Sequence, residues 1–166
     1  MEQVTINKSI NLSEHFSLGE VTKSSHTEIY NIPSHVAIEN LKRVCVWLED
    51  LRFTYNSLYC LKPGEDYETS KNVEPIIINS GYRSPELNQK VGGAPTSNHL
   101  TGCAVDIHVA GIEQALRYAV ILMDYADETK QDYDELLIER NSKGHYWVHF
   151  AVRPKDNRRK TMMIQT

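Results

Sequence analysis

Cys103-Ala104-Val105-Asp106-Ile107-His108-Val109 alternates apolar and polar side chains around a central carboxylate. Successive side chains of a strand point to opposite faces. Cys103, Val105, Ile107 and Val109 therefore share an apolar face, and Ala104, Asp106 and His108 share the other. A second run, His145-Tyr146-Trp147-Val148-His149-Phe150-Ala151-Val152, behaves in the same way. Its Tyr146, Val148, Phe150 and Val152 form the core-facing side, and His145, Trp147, His149 and Ala151 the opposite one. Each strand thus has one face for a core and one face that carries chemistry.

The flanking segments supply the rest of an α+β domain. Ser17-Leu18-Gly19-Glu20 has a capping-box pattern and opens a short helix. Ser34 caps a long helix whose Ala37, Leu41, Val44, Cys45, Leu48 and Leu51 recur at three- and four-residue steps. Residues 62–73 read as a polar loop. Ile76-Ile77-Ile78 reads as a short buried strand. Ser84-Pro85-Glu86 starts a short helix that stops at Gly92-Gly93. A helix over 113–127 places Leu116, Ala119, Val120 and Met123 on one face, and strands follow at about 134–140 and 145–152. The expectation is a small, mainly antiparallel sheet with helices packed on one side and a cleft on the other.

Composition sets the outer bounds. The chain has 166 residues, 40% hydrophobic and 24% charged, with a mean hydropathy of −0.46. That length suits one domain over residues 1–152, followed by a basic tail over 153–166. The tail holds Arg153, Lys155, Arg158, Arg159 and Lys160 and reads as solvated. A net charge of −4 argues against a general polyanion binder, so no nucleic-acid partner is expected. No stretch approaches the ~18 apolar residues of a membrane span, and the first residues lack a Sec-type leader. Synthesis in the cytoplasm, no membrane partner and a monomeric state are the expectations. Cys45, Cys60 and Cys103 lack CxxC spacing and read as reduced thiols.

Asp106 in mid-strand needs a partner, because an unpaired buried charge is costly. His99 leaves the turn-rich stretch 92–102 seven residues earlier and can converge on the same point. His149 lies on the chemistry-bearing face of the last strand. His145 shares that face but stands roughly 13 Å away along the strand, too far to bind the same ion. Two imidazoles and one carboxylate leave a fourth position for water, the pattern of catalytic rather than structural zinc. Arg83, in Asn79-Ser80-Gly81-Tyr82-Arg83-Ser84-Pro85, reads equally as a surface arginine or as a partner for a substrate carboxylate.

Three motifs stand in order: Ser80-Gly81-Tyr82-Arg83-Ser84, then Ser97-Asn98-His99-Leu100-Thr101-Gly102-Cys103-Ala104-Val105-Asp106, then Trp147-Val148-His149. Together they resemble the zinc D-Ala-D-Ala carboxypeptidases, which group with lysostaphin-like enzymes and hedgehog signalling domains. The family pattern SxHxxGxAxD followed by WxH is filled at every fixed position, and the similarity runs over roughly residues 12–152. The resemblance implies a hedgehog/D-Ala-D-Ala peptidase-like fold and a bound zinc ion, with His99, Asp106 and His149 as ligands. It places Arg83 where the family's arginine engages substrate near the scissile bond. Ser97 falls where a substrate-contacting residue often sits, although a hydroxyl that merely stabilises the loop fits as well.

One departure concerns the general base. Several members carry an acid three residues before the last histidine ligand, and here that position is Tyr146. The segment Asp134-Glu135-Leu136-Leu137-Ile138-Glu139 instead resembles the DQLIxE strand of a shorter, often phage-linked branch. That resemblance makes Glu139 the candidate catalytic acid/base, against the plainer reading of a surface glutamate paired with Arg140 or Lys143. The implied activity is zinc-dependent hydrolysis of peptidoglycan stem peptides or cross-links next to a D-amino acid, by a D,D-carboxypeptidase or an endopeptidase. A leaderless chain with a wall substrate fits an endolysin-like enzyme released by lysis or a holin. Two alternatives stay open: a non-catalytic zinc-binding module, and a zinc amidase or L-Ala-D-Glu endopeptidase.

Overall fold

The structure, a computed structural model, describes residues 7–166. Helix α1 (Leu18–Thr22) begins at the expected capping box, in which Ser17 and Glu20 satisfy each other's backbone N–H groups. The long helix α2 (His35–Tyr59) begins at Ser34, whose side chain accepts from Ala37 N. All six of its expected core positions, from Ala37 to Leu51, are buried. Strand β1 (Ile78–Ser80) leads into α3 (Pro85–Lys90), and β2 (Ala104–His108) leads into α4 (Ile112–Thr129). Strands β3 (Glu135–Arg140), β4 (Tyr146–Ala151) and β5 (Lys160–Gln165) complete a five-stranded sheet of order β1-β2-β4-β3-β5. Every neighbouring pair is antiparallel except β3 and β5, which run parallel.

The core lies between one face of this sheet and helices α2 and α4. Val105, Ile107, Val148 and Phe150 meet Trp47, Leu48 and Leu122 there, all almost fully buried. Removing a Val, Leu or Phe side chain of this kind from water contributes roughly 1.5–3 kcal/mol. The burial pattern also fixes register, because a one-residue slip would turn Asp106 and His149 into this core. The opposite face is left to carry the polar side chains. No helix among the described residues is long and apolar enough to cross a membrane.

Three expectations need correction. The strand at Ile76–Ile78 begins only at Ile78, and Ile77 is exposed while Ile76 and Ile78 are buried. Alternation turns Ile77 to the face opposite Ile76 and Ile78, which no helix among the described residues covers. Helix α4 buries Ala115, Tyr118, Ala119, Ile121, Leu122 and Ala126, whereas Leu116 and Val120 are half exposed. The buried stripe is rotated by one position because small alanines beside Tyr118 let the helix approach the sheet. Third, residues 153–166 are no solvated tail. Their chain returns to pair β5 with β3, and Arg158 donates to the carboxylate of Asp134. Arg153 and Arg158 pair with the buried Asp134, a partner that composition could not reveal.

Candidate metal centre

The β2–β4 register sets Asp106 directly opposite His149, on the face turned away from the helices. Residues facing each other in this way bring their Cβ atoms within about 4.5–5.5 Å. His99 arrives from a single 3-10 turn, Asn98–Thr101, whose first N–H groups are capped by Ser97. Gly102 closes that turn in the left-handed conformation, at φ +72, and a Cβ there would lie 2.4 Å from Ala37 O. The chain then enters β2 directly. Loop, cap and strand therefore return His99 to a point above Asp106.

Each imidazole is oriented. Nδ1 of His99 lies 2.6 Å from Gly81 O, and a carbonyl can only accept, so Nδ1 carries the proton. That leaves Nε2 of His99 facing Asp106 Oδ1 at 3.3 Å, the nitrogen that would meet a metal. Gly81 reaches this position because it lies against Val21, where a Cβ would sit 2.2 Å from the backbone carbonyl oxygen. Nδ1 of His149 is 2.9 Å from the same Asp106 oxygen, and its Nε2 is 3.2 Å from Glu135 Oε2. One donor atom from each of His99, Asp106 and His149 lies within 4.8 Å of the other two.

These residues fit a zinc ion. Two donors of a tetrahedral zinc at ~2.0–2.1 Å are themselves roughly 3.3 Å apart, close to the observed His99–Asp106 separation. His149 and Asp106 also hydrogen-bond to each other. Burial works against a charged His149, but hydrogen bonds to Asp106 and Glu135 outweigh it and push the imidazole up to about 9. Asp106 is buried too, yet the two histidines hold its carboxyl well below the usual carboxylate range. A cation belongs between such groups, whether a proton or a metal.

Arg83 stands at the edge of the triad. Its Nε donates to Ser80 Oγ at 3.0 Å and its Nη2 to Asp106 Oδ2 at 2.8 Å. The side-on fork considered for a substrate carboxylate is thus already engaged, and Nη1 is the nitrogen without a partner among the described residues. Ser97 Oγ accepts from His99 N at 3.3 Å, which is the loop-stabilising contact. Tyr146 sits on the core-facing side of β4 and packs at the margin of the core. An acid at that position would point away from the triad in this sheet.

Two carboxylates share the triad's face of β3, and their environments push them apart. Glu135 is tied to His149, to Asn98 Nδ2 at 3.0 Å and to Arg158 at 3.0 Å. The His149 hydrogen bond leads the causes that pull its carboxyl down to about 2. Glu139 faces Trp147 across the β3–β4 pair and, among the described residues, makes no ion pair with Arg140 or Lys143. Burial raises its pKa above the ordinary 4.5, although the charges of His149 and Arg83 oppose that rise. Glu139 is free to take a proton and Glu135 is not.

Sequence reading missed Glu135 and Asn98. Strand alternation placed Glu135 on the same face as Glu139, and that was the available signal. Asp134 is fully buried and accepts from Arg158, from Asn98 Nδ2 at 2.7 Å and pairs with Arg153 at 3.0 Å. Burial would raise its pKa, but the Arg158 and Asn98 hydrogen bonds win and keep it below its ordinary 3.8. A depressed folded value stabilises the fold above the unfolded pKa and is lost as pH falls through the folded one. Asp134→Asn should therefore cost about 3 kcal/mol at pH 7. The gap from wild type should shrink below pH ~4, as followed by thermal melts across pH. A gap that stays constant with pH would show that the charge of Asp134 contributes nothing.

A two-histidine, one-aspartate centre on a half-covered α+β sheet, with an unpaired glutamate beside it, defines a metallohydrolase-type site. A family model described as Peptidase M15 matches residues 65–135. That span includes Arg83, Ser97, His99, Asp106 and Glu135 and ends before Glu139 and His149. Over that span the chain is similar to the M15 peptidases, the zinc D-Ala-D-Ala carboxypeptidase-like family, and its mixed five-stranded sheet is consistent with their fold. The match supports a zinc-dependent metallopeptidase. No curated protein matches the chain.

Proposed function

We propose that this chain hydrolyses peptidoglycan stem peptides or cross-links next to a D-amino acid, as a D,D-carboxypeptidase or endopeptidase. The observation that carries the reading is Glu139, half-buried and without an ion-pair partner among the described residues, on the face shared by His99, Asp106 and His149. His99, Asp106 and His149 would hold the zinc. When bound, zinc lowers the pKa of water and polarises the scissile carbonyl. Glu139 accepts a proton from the attacking water and passes it to the departing amine. Arg83 anchors Asp106 and presents Nη1 to the peptide, while Ser97 keeps His99 in place.

A cavity of about 200 Å³ opens beside Arg83, lined by Lys23, His26, Ser80, Leu87 and Val91 among others. Its Lys23 and Arg83 cations, beside the apolar Leu87 and Val91, suit a peptide end that bears a carboxylate. Arg83→Lys should lower kcat/KM by roughly ten- to a hundred-fold, because lysine cannot hold Ser80, Asp106 and substrate together (about 1.5–3 kcal/mol). Steady-state kinetics with a stem-peptide substrate, alongside a melting curve, check this. Lost stability with kcat/KM intact would mark Arg83 as a structural arginine.

An endolysin-like role, in which lysis or a holin brings the protein to the wall, belongs to the same proposal. The test is digestion of purified peptidoglycan with and without chelator, read by mass spectrometry of the fragments. Loss of a terminal D-alanine or opening of cross-links, abolished by chelator and restored by zinc, is the expected result. Cleavage at the lactyl-L-Ala or L-Ala-D-Glu bond would assign an amidase or L-Ala-D-Glu endopeptidase instead. Unchanged muropeptides under both conditions would make the domain a binding module.

A further inference from the structure

We infer that Glu135 is a positioning residue, which holds His149 through Nε2 so that Nδ1 faces Asp106 and the metal position. The inference rests on the zinc reading above. Either nitrogen of an imidazole can bind a metal, and the choice is set by what the other one does. Nε2 of His149 meets Glu135 Oε2 at 3.2 Å and Nδ1 meets Asp106 Oδ1 at 2.9 Å. The ring therefore lies between a carboxylate that can share a metal and one that cannot.

Glu135 is itself held from behind. Asn98 donates to it at 3.0 Å, and Arg158 reaches it at 3.0 Å while also gripping Asp134. Lys160 adds a longer contact at 3.7 Å. Asn98 precedes His99 in the same 3-10 turn, so this network also ties the first histidine's turn to the strand that carries Glu135. The basic segment after β4 thus fixes the carboxylate that in turn fixes His149. Carboxylate–histidine–metal arrangements of this kind orient the ring and raise its basicity, and their loss weakens metal binding by about 10–100-fold.

The test uses the full chain, with zinc itself as the probe. Zinc affinity is measured by competition with a chromophoric chelator for wild type, Glu135→Met and Glu135→Gln, beside melting curves of the metal-free proteins. Glu135→Met keeps the volume but removes the acceptor, and should bind zinc about 10–100-fold more weakly. Glu135→Gln retains a carbonyl acceptor and should lose less than tenfold. Equal affinity of wild type and Glu135→Met would overturn the inference while leaving the zinc site standing. A wild type that binds no zinc would overturn both, and the two failures are told apart by wild type alone. Long-range ¹H–¹⁵N NMR of the zinc-loaded wild type needs no variant. It should show His149 with a protonated, exchange-protected Nε2 and a metal-bound Nδ1. A metal-bound Nε2 would overturn the role of Glu135 outright.

Discussion

Glu139→Gln is expected to lower kcat by about 10²–10⁴-fold, with zinc content unchanged. Loss of a positioned acid/base removes roughly 2.7–5.5 kcal/mol of transition-state stabilisation. Glutamine keeps the shape of the side chain and loses only the capacity to carry a proton. The fold should not suffer. Burial raises the pKa of Glu139, so its charged form is disfavoured in the folded protein and neutralising it costs nothing. Single-turnover kinetics with a stem-peptide substrate, zinc analysis and a melting curve check the three parts together. A variant that turns over at the wild-type rate would move the base elsewhere. Asp134 could not replace it, because that carboxylate is fully buried and committed to Arg158, Arg153 and Asn98.

His149→Ala should abolish zinc retention and hydrolysis together. Only His99 and Asp106 would remain as ligands, and Asp106 and Glu135 would lose the cation between them. Removing one partner of a buried charged pair typically costs about 3–5 kcal/mol, so the metal-free variant should also melt well below wild type. Elemental analysis after dialysis, together with a calorimetric scan, measures both effects. His149→Gln fills the space and separates them, since it should recover part of the stability but none of the zinc. Full zinc occupancy in either variant would refute the ligand set.

Much of this site could be read from residue alternation. The strand period of two puts Asp106 and His149 on the chemistry-bearing face, because the other face is apolar apart from the Tyr146 hydroxyl. Ser17, Ser34 and Ser84 marked helix starts through local hydrogen-bonding chemistry, which needs no distant partner. Misreadings arose where the outcome depended on neighbours far along the chain. The buried stripe of α4 is set by small alanines against the sheet, while Leu116 and Val120 looked more apolar in isolation. The basic segment after β4 looked solvated because its carboxylate partners, Asp134 and Glu135, lie about twenty residues upstream. The use of Arg83 followed the same logic: its fork meets Ser80 and Asp106, and only the folded chain brings Asp106 within reach.

Zinc K-edge X-ray absorption on the metal-loaded wild-type protein tests the central claim most directly. The expected result is one zinc per chain in a first shell of nitrogen and oxygen at ~2.0–2.1 Å, with imidazole scattering from two histidines. A sulfur shell at ~2.3 Å would place the metal on cysteines, and a protein that retains no zinc would leave His99, Asp106 and His149 without their ion. Either result would contradict a zinc centre built from these three residues.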